Sequence, residues 1–266
     1  MNKDNPIGVF DSGIGGLTVA KAIRLYLPNE SLLYFGDTKH LPYGEKSVQS
    51  IQKFSKNIAV FLEQQKCKMI VIACNTASSL AYETIKNKCK DIEIVNVIDP
   101  IIKHISNCDH HDTIGIIGTK GTINSGIYLQ KIKSINQNIN VKSLATPILA
   151  AMIEGGFFKD KISQTIVHNY LKDPVLKGIN KLILACTHYP LIKELIKDYY
   201  SKEIEIIDSA THVAKHVKDI LKDKKLLSQQ IARHRFVVSD YTSSFEESAK
   251  IFFGEDINLE EVNSIH

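Results

Sequence analysis

The chain has 266 residues, of which 44% are hydrophobic and 23% are charged, and its formal net charge at pH 7 is +4. These values are ordinary for a soluble globular protein with one large or two small domains. The polar start gives no secretory signal and no apolar run approaches the roughly 18 residues of a membrane helix, so we expect a cytoplasmic protein without membrane contacts.

Short apolar runs alternate with longer amphipathic segments along the chain. The runs predict strands at 7–10, 32–35, 69–73, 94–98, 113–118, 141–145, 182–185, 204–207 and 235–239. The amphipathic segments predict helices at 17–26, 48–65, 77–88, 122–134, 161–172, 190–200, 211–222 and 245–252. Continuous Val/Ile/Leu runs with helices between them favour parallel sheets that are covered on both faces.

The chain also repeats itself coarsely. Residues 7–13 resemble residues 114–120, and two cysteine-containing segments recur at a similar spacing. Two related halves explain this pattern, although independent βα units would also produce it. We therefore predict an α/β fold with two pseudo-symmetric doubly wound domains, mostly parallel sheets and an active site between them. The expected domains are 1–98 with 210–266, and 99–209; Asp99-Pro100 would be an extended connection, because a residue before proline favours extended backbone.

Two predicted strands end in Ala-Cys followed by hydrogen-bonding side chains, at 73–76 (ACNT) and 185–188 (ACTH). Open α/β sheets bind ligands at the carboxyl ends of their strands. Cys74 and Cys186 could therefore approach one ligand from opposite sides, which suits removing a proton from one face of a carbon and returning one to the other. A helix start or a nearby cation activates a thiol, and His188 could relay a proton at Cys186.

The other cysteines, Cys67, Cys89 and Cys108, lie in or beside helix patterns or in a polar loop, and we interpret them as incidental. Five cysteines without a CxxC pair argue against a disulfide framework and against a zinc site, so we predict no metal. Nucleic-acid binding is not expected either, since Trp is absent and basic residues are not interleaved with aromatic ones.

A glycine-rich turn, 11–16 (DSGIGG), follows the first predicted strand. Its glycine spacing differs from the dinucleotide-binding fingerprint, but backbone N–H groups and the Ser12 hydroxyl at a helix start favour an anion. Asp11 would repel that anion unless it faces a ligand ammonium or a catalytic thiol. The alternative is a plain turn in which Asp11 caps the helix. A second loop contains Pro42 and Gly44, which are typical of a turn.

Together these segments resemble the glutamate racemase family. The similarity runs in chain order to about residue 210 and is carried by 8–19 (GVFDSGIGGLTV), 34–38 (YFGDT), 42–44 (PYG), 73–78 (ACNTAS) and 185–190 (ACTHYP). Ala185 is a small departure, because many members have Gly there. The segment after about 210 carries no diagnostic motif.

The resemblance implies a cofactor-independent racemase that interconverts L- and D-glutamate by two-base proton transfer, supplies D-glutamate for peptidoglycan and forms a homodimer. By motif position, Cys74 would deprotonate D-glutamate with help from Asp11, and Cys186 would deprotonate L-glutamate with help from His188. Glu154 matches a family acid near the second cysteine. The positions that would bind substrate are Asp11, Ser12, Pro42, Tyr43, Gly44, Asn75, Thr76, Thr119, Thr122, Thr187 and His188.

Three alternatives remain open from the sequence. One is a related enzyme, such as an aspartate or hydantoin racemase or a decarboxylase that uses one cysteine. Another is a two-lobed small-molecule binding protein without catalysis. The third is a redox or metal site built from Cys74, Cys186 and His188.

Overall fold

The computed structural model describes residues 2–107 and 112–262; Cys108 lies outside them. The described residues contain two sheets in which the strand pairs are parallel. The strands are β1 (Ile7–Asp11), β2 (Leu32–Gly36), β3 (Met69–Ile72), β4 (Glu93–Asn96), β5 (Thr113–Gly118), β6 (Asn140–Ala145), β7 (Lys181–Ala185), β8 (Glu205–Asp208), β9 (His234–Val238) and β10 (Leu259–Glu261).

Helices connect these strands, as parallel pairing requires. They are α1 (Leu17–Tyr26), α2 (Val48–Gln64), α3 (Asn75–Leu80), α4 (Tyr82–Lys88), α5 (Asp99–Ile105), α6 (Lys120–Asn124), α7 (Ile127–Ile135), α8 (Pro147–Glu154), α9 (Lys161–Leu171), α10 (Lys193–Tyr199), α11 (Ser209–Asp223) and α12 (Ser243–Phe253). Among the described residues, no helix combines the length and the apolar character needed to cross a membrane.

The two sheets have matching strand orders. The larger sheet runs β10-β9-β2-β1-β3-β4, and the smaller runs β6-β5-β7-β8. Four strands of the first, β2-β1-β3-β4, therefore correspond in order to the four strands of the second. The predicted α/β fold with two parallel sheets is confirmed, and β9 joins the first sheet beside β2 as expected. The domain boundaries at 98/99 and 209/210 stay a prediction.

Two predicted helices are each divided in two. The segment predicted as a helix at 77–88 begins two residues earlier and breaks at Ala81, between α3 and α4. The segment predicted at 122–134 is split at Gly126, which has a left-handed φ of 66°. Since glycine adopts this conformation at little cost, Gly126 ends α6 and starts α7 in a new direction.

The predicted extended connection at Asp99-Pro100 is wrong, because these residues open α5. Proline fits the first turn of a helix, where its missing N–H has no intrahelical partner to lose. The Asn96 side chain accepts hydrogen bonds from the N–H groups of Ile98 and Asp99 at 2.9 Å each and stabilises this helix start.

The sequence analysis also missed α8 and β10. The α8 sequence PILAAMIE is apolar along nearly its whole length, so it lacks the polar face that marks a surface helix. β10 has only three residues, Leu-Glu-Glu, at the edge of the larger sheet beside β9. Such a short edge strand has too few residues to show alternation.

A shared core joins the two sheets. α11 follows β8 of the smaller sheet and packs against α1 of the larger half. Its buried side chains recur at helical spacing and are Ala210, Val213, Ala214, Val217 and Leu221. Apolar residues of β1, α11 and β5 belong to one continuous buried cluster, so the carboxyl ends of both sheets are held in place around the space between them.

Candidate active site

A cavity of about 390 Å³ lies between the carboxyl ends of the two sheets. Loops and helix starts that follow β1, β2, β3, β5 and β7 form its wall, since parallel strands present these segments at one edge. Most of the site residues predicted from the sequence are in the wall, namely Ser12, Pro42, Tyr43, Gly44, Cys74, Asn75, Thr76, Thr119, Glu154, Cys186, Thr187 and His188. Asp11 and Thr122 are buried directly behind it.

Cys74 follows β3 and occupies the N-cap position of α3. Its sulfur accepts a hydrogen bond from the backbone N–H of Ala77 at 3.4 Å, and its thiol donates towards Ser12 Oγ at 3.7 Å. Burial raises the pKa of the Cys74 thiol to about 12, and the charge of Asp11 acts in the same direction. Cys74 is therefore a neutral thiol at pH 7 and can donate a proton.

Cys186 follows β7 and lies at one end of a three-residue hydrogen-bonded chain. Its sulfur is 3.6 Å from Nδ1 of His188, whose Nε2 is 2.6 Å from Oε2 of Glu154. Burial lowers the pKa of His188, but the hydrogen bonds with Cys186 and Glu154 outweigh it, and the pKa lies well above the ordinary value. The sulfur of Cys186 thus has a cationic ring as its hydrogen-bonding neighbour, whereas the sulfur of Cys74 lies beside a carboxylate.

Asp11 ends β1 and links the two halves from behind the wall. Its Oδ2 accepts the N–H of Gly13 at 3.0 Å, and its Oδ1 accepts a long hydrogen bond from Thr187 Oγ1 at 3.4 Å. Burial raises the pKa of this carboxyl group, while the charge of His188 opposes the increase. The alternative in which Asp11 caps the helix is wrong, because the N-cap residue of α1 is Gly16 and no side chain caps it.

Two glycines of the 11–16 turn are required by close approach. A Cβ on Gly15 would lie 2.5 Å from the His188 ring, and a Cβ on Gly16 would lie 2.5 Å from Cβ of Asp11. Both distances are shorter than atoms can approach without moving. The turn therefore brings Ser12 and Asp11 against the Cys186 segment only because these positions have no side chain.

The loop after β2 is held by Asp37. Its carboxylate accepts hydrogen bonds from Tyr43 Oη at 2.6 Å and from Ser239 Oγ at 2.8 Å. Gly44 lies against Thr119 of the other half, where a Cβ would be 2.7 Å from Cβ of Thr119. Tyr43 and Gly44 thereby close one side of the cavity.

Three threonine hydroxyls meet across the boundary between the halves. Thr76 Oγ1 lies 2.9 Å from that of Thr119 and 3.2 Å from that of Thr122, and the latter two are 3.1 Å apart. Thr122 therefore supports two wall residues instead of forming part of the wall itself.

Two polar atoms of the wall residues have no hydrogen-bond partner within residues 2–107 and 112–262. They are Nδ2 of Asn75 and Oε1 of Glu154, both buried. Buried polar groups in proteins are almost always paired, so these atoms indicate that a polar ligand supplies the missing partners.

The sequence analysis did not place two helices in the wall: it missed α8 altogether, and it predicted α12 as a helix at 245–252 without a role in the site. Ala150 and Ala151 come from α8, and α12 contributes Ser244, Phe245, Glu247 and Ser248. Behind them, the ring of Phe252 meets the His188 ring edge-on with centroids 5.2 Å apart. Neither helix carries a motif; the only signal for α12 was its amphipathic pattern, which does not distinguish a wall helix from a covering one.

Comparison with known proteins agrees with this geometry. A family model for Asp/Glu/hydantoin racemases matches residues 17–217. The glutamate racemase of Geobacter metallireducens is 38% identical over 250 residues, which cover 93% of this chain and 92% of that protein. The chain belongs to the glutamate racemase family. It is accordingly an amino-acid racemase, an isomerase, and the resemblance noted from the sequence is confirmed.

Solved structures of glutamate racemases have the same fold. The enzyme from Francisella tularensis, in complex with D-glutamate, superimposes with a TM-score of 0.92 at 39% identity, covering 99% of this chain and 98% of that one. A glutamate racemase isoform from Bacillus anthracis gives 0.93 at 35% identity, with 98% of both chains covered. The family assignment therefore extends over the whole two-sheet architecture and includes the segment beyond residue 210 that lacked motifs.

Proposed function

We propose that this racemase interconverts L- and D-glutamate by two-base proton transfer, with Cys74 and Cys186 as the bases. The observation that carries the proposal is the pair of cysteines in one cavity wall with opposite electrostatic surroundings. Cys74 is buried beside a carboxylate and is held as a thiol. Cys186 lies beside an imidazolium. One group is thus prepared to donate a proton and the other to accept one.

In the direction from L- to D-glutamate, the Cys186 thiolate removes the α-proton and its S–H bond forms as the C–H bond breaks. The Cys74 thiol then delivers its proton to the opposite face of the carbon and is left as a thiolate. In the reverse direction the two roles exchange. Proton exchange with water returns the cysteines to the starting state, so each turnover is balanced without a cofactor.

The charge that develops on the substrate needs hydrogen-bond donors. An amino-acid α-proton is weakly acidic, and the carbanion places further charge next to a carboxylate. Donors that are fixed in advance around that carboxylate lower the barrier. Most of the proposed substrate-binding residues offer neutral hydrogen-bond donors, and Asp11 and Thr122 would act from behind the wall. The proposed residues of the wall itself are Ser12, Pro42, Tyr43, Gly44, Asn75, Thr76, Thr119, Thr187 and His188.

The wider biology follows from the family resemblance. We propose that the D-glutamate supplies peptidoglycan synthesis, that the enzyme works in the cytoplasm, and that it forms a homodimer. The lobes on either side of the cavity would be the domains 1–98 with 210–266, and 99–209.

The deciding experiment follows L-glutamate in D₂O with the purified protein. Circular dichroism measures inversion, while mass spectrometry of the separated enantiomers measures deuterium at Cα. A two-base enzyme places deuterium in the new enantiomer before it appears in the remaining substrate, because the donor thiol exchanges with solvent while the acceptor holds the substrate proton. Exchange without inversion, or deuterium that appears equally early in both enantiomers, contradicts the proposal. Faster inversion of L-aspartate would favour the aspartate alternative.

A further inference from the structure

Asn75 connects the cavity to a residue that lies outside its wall. Its side-chain Oδ1 accepts a hydrogen bond from Tyr128 Oη at 2.8 Å, and its Nδ2 is the buried donor without a partner in the described residues. Asn75 opens α3, directly after Cys74. Tyr128 lies on α7, which belongs to the half built around the smaller sheet. The bond therefore crosses from one half of the molecule to the other.

The amide of Asn75 has two possible orientations, and they have opposite effects on an anionic ligand. With Oδ1 towards Tyr128, the N–H groups of Nδ2 remain available to a carboxylate. With the amide flipped, Nδ2 would face Tyr128 and the carbonyl oxygen would be presented to the ligand, which would repel a carboxylate. A tyrosine hydroxyl can donate or accept, so it is its observed donation to Oδ1 that leaves Nδ2 available to a ligand.

Tyr128 is suited to act as a permanent donor. Its side chain is only 4% exposed. Burial raises the pKa of its hydroxyl group well above the ordinary value, and the charge of Asp99 adds to the increase. The hydroxyl group therefore stays protonated at neutral pH and donates its hydrogen bond to Oδ1 of Asn75.

We propose that Tyr128 is a positioning residue for substrate binding, whose hydroxyl group holds the Asn75 amide so that Nδ2 donates to a carboxylate of the bound amino acid. The inference rests on the proposed glutamate racemase function. It adds Tyr128, a residue of the other half that lies outside the cavity wall and acts through Asn75. It also makes the donor depend on the two halves being in register, because Asn75 and Tyr128 belong to different halves.

The test is Tyr128→Phe, which removes the hydroxyl group and keeps the ring. The amide holds a carboxylate in both the bound substrate and the transition state, so most of the lost interaction appears as a higher KM, and only the part that responds to the developing charge appears in kcat. We expect KM for both enantiomers to rise about 10-fold, as for a weakened hydrogen bond to a charged group, with kcat within about 3-fold. The dissociation constant of glutamate from calorimetry should rise in parallel.

Tyr200→Phe is the matched control, because the Tyr200 hydroxyl is buried without a partner in the described residues; its KM should equal that of the wild type. A second control is Tyr128→Phe in an Asn75→Ala background, where it should have no further effect on KM. If Tyr128→Phe acted only by disturbing packing, it would raise KM in the Asn75→Ala background as well. It would also lower the melting temperature in both the wild-type and the Asn75→Ala backgrounds.

The outcomes separate the inference from the proposed function. An active wild type with Tyr128→Phe indistinguishable from Tyr200→Phe overturns the role of Tyr128 alone, as does an additive effect in the Asn75→Ala background. A wild type that neither racemises nor binds glutamate overturns the proposed function, and the inference with it.

Discussion

The two cysteine segments have the same position in the fold and opposite chemistry. Cys74 follows β3 and Cys186 follows β7, and these strands occupy equivalent places in their sheets. Burial and the charge of Asp11 keep the Cys74 thiol protonated, while the hydrogen bond with the Ser12 hydroxyl acts in the opposite direction. Beside Cys186 is a histidine whose pKa is held high by hydrogen bonds.

This difference arises from residues outside the repeated strands. The repeat determines where each sulfur lies, because equivalent strands end at equivalent edges. The electrostatic surroundings differ instead: Cys74 is buried near the Asp11 carboxylate of the 11–16 turn, and Cys186 lies beside His188, which is hydrogen-bonded to Glu154. A nearly symmetric scaffold can thus place two cysteines in different electrostatic surroundings, as the proposed mechanism requires, since symmetry of the backbone does not impose symmetry of charge.

The largest effect should come from removing either sulfur. Cys74→Ala and Cys186→Ala should each lower racemisation by at least about 10³-fold, because each removes one of two proton-transfer groups. The Cys74→Ala variant should retain some deuterium exchange at Cα of L-glutamate only. The Cys186→Ala variant should retain it at Cα of D-glutamate only. Cys89→Ala is the control, since Cys89 is a buried thiol outside the cavity wall. Near-wild-type racemisation by either site variant would contradict two-thiol chemistry.

Removing the imidazole of His188 should reduce the difference in electrostatic surroundings between Cys74 and Cys186. His188→Asn should reduce kcat/KM at pH 7 by about 100-fold, because no cation then supports the Cys186 thiolate. The loss should be smaller at pH 9 than at pH 6, since hydroxide can ionise the thiol unaided. Because enantiomers have equal free energies, kcat/KM must fall equally in both directions. A loss that is independent of pH would exclude this role for His188.

Neutralising Glu154 tests the same chain of hydrogen bonds more gently. The Glu154 carboxylate accepts from His188 Nε2 and favours the charged ring, whereas an amide does so less. Glu154→Gln should therefore lower the pKa of His188, measured by NMR titration of the ring protons, and reduce activity at pH 7 about 10-fold. Glu247→Gln, another carboxyl group of the wall, should leave the His188 pKa unchanged. An unaltered His188 pKa in Glu154→Gln would show that the carboxylate does not set it.

The sequence was most informative about candidate functional residues that directly follow a predicted strand. Cys74, Cys186 and Asp11 directly follow predicted strands, and the carboxyl edge of a parallel sheet brings such positions together whatever the details of packing. The positions of most strands and helices followed from the alternation of short apolar runs with amphipathic segments. Glu154 was identified only through the family resemblance, because no local pattern marks a carboxylate at the end of an apolar helix.

Other parts of the site depend on contacts between elements far apart in the chain. The α12 residues of the wall, and Tyr128 and Phe252 behind it, come close to the site only when the halves pack together, and their local sequences are those of ordinary helices. The start of α5 was missed for a different reason. Proline is tolerated in a first helical turn as well as in a connection, so Pro100 alone could not decide between them.

The smallest effect concerns the aromatic ring that lies behind His188 on the Cys186 side of the site. Phe252→Leu keeps an apolar side chain but removes the edge-on contact at 5.2 Å, and such pairs contribute about 0.5–1.5 kcal/mol. We expect kcat/KM to fall about 3-fold, with a small decrease in melting temperature. Phe253→Leu is the control, because Phe253 is equally buried but packs against Phe236, so it should lower the melting temperature without the kinetic change. Equal kinetic losses in both variants would mean that the ring supports α12 in general and does not orient His188.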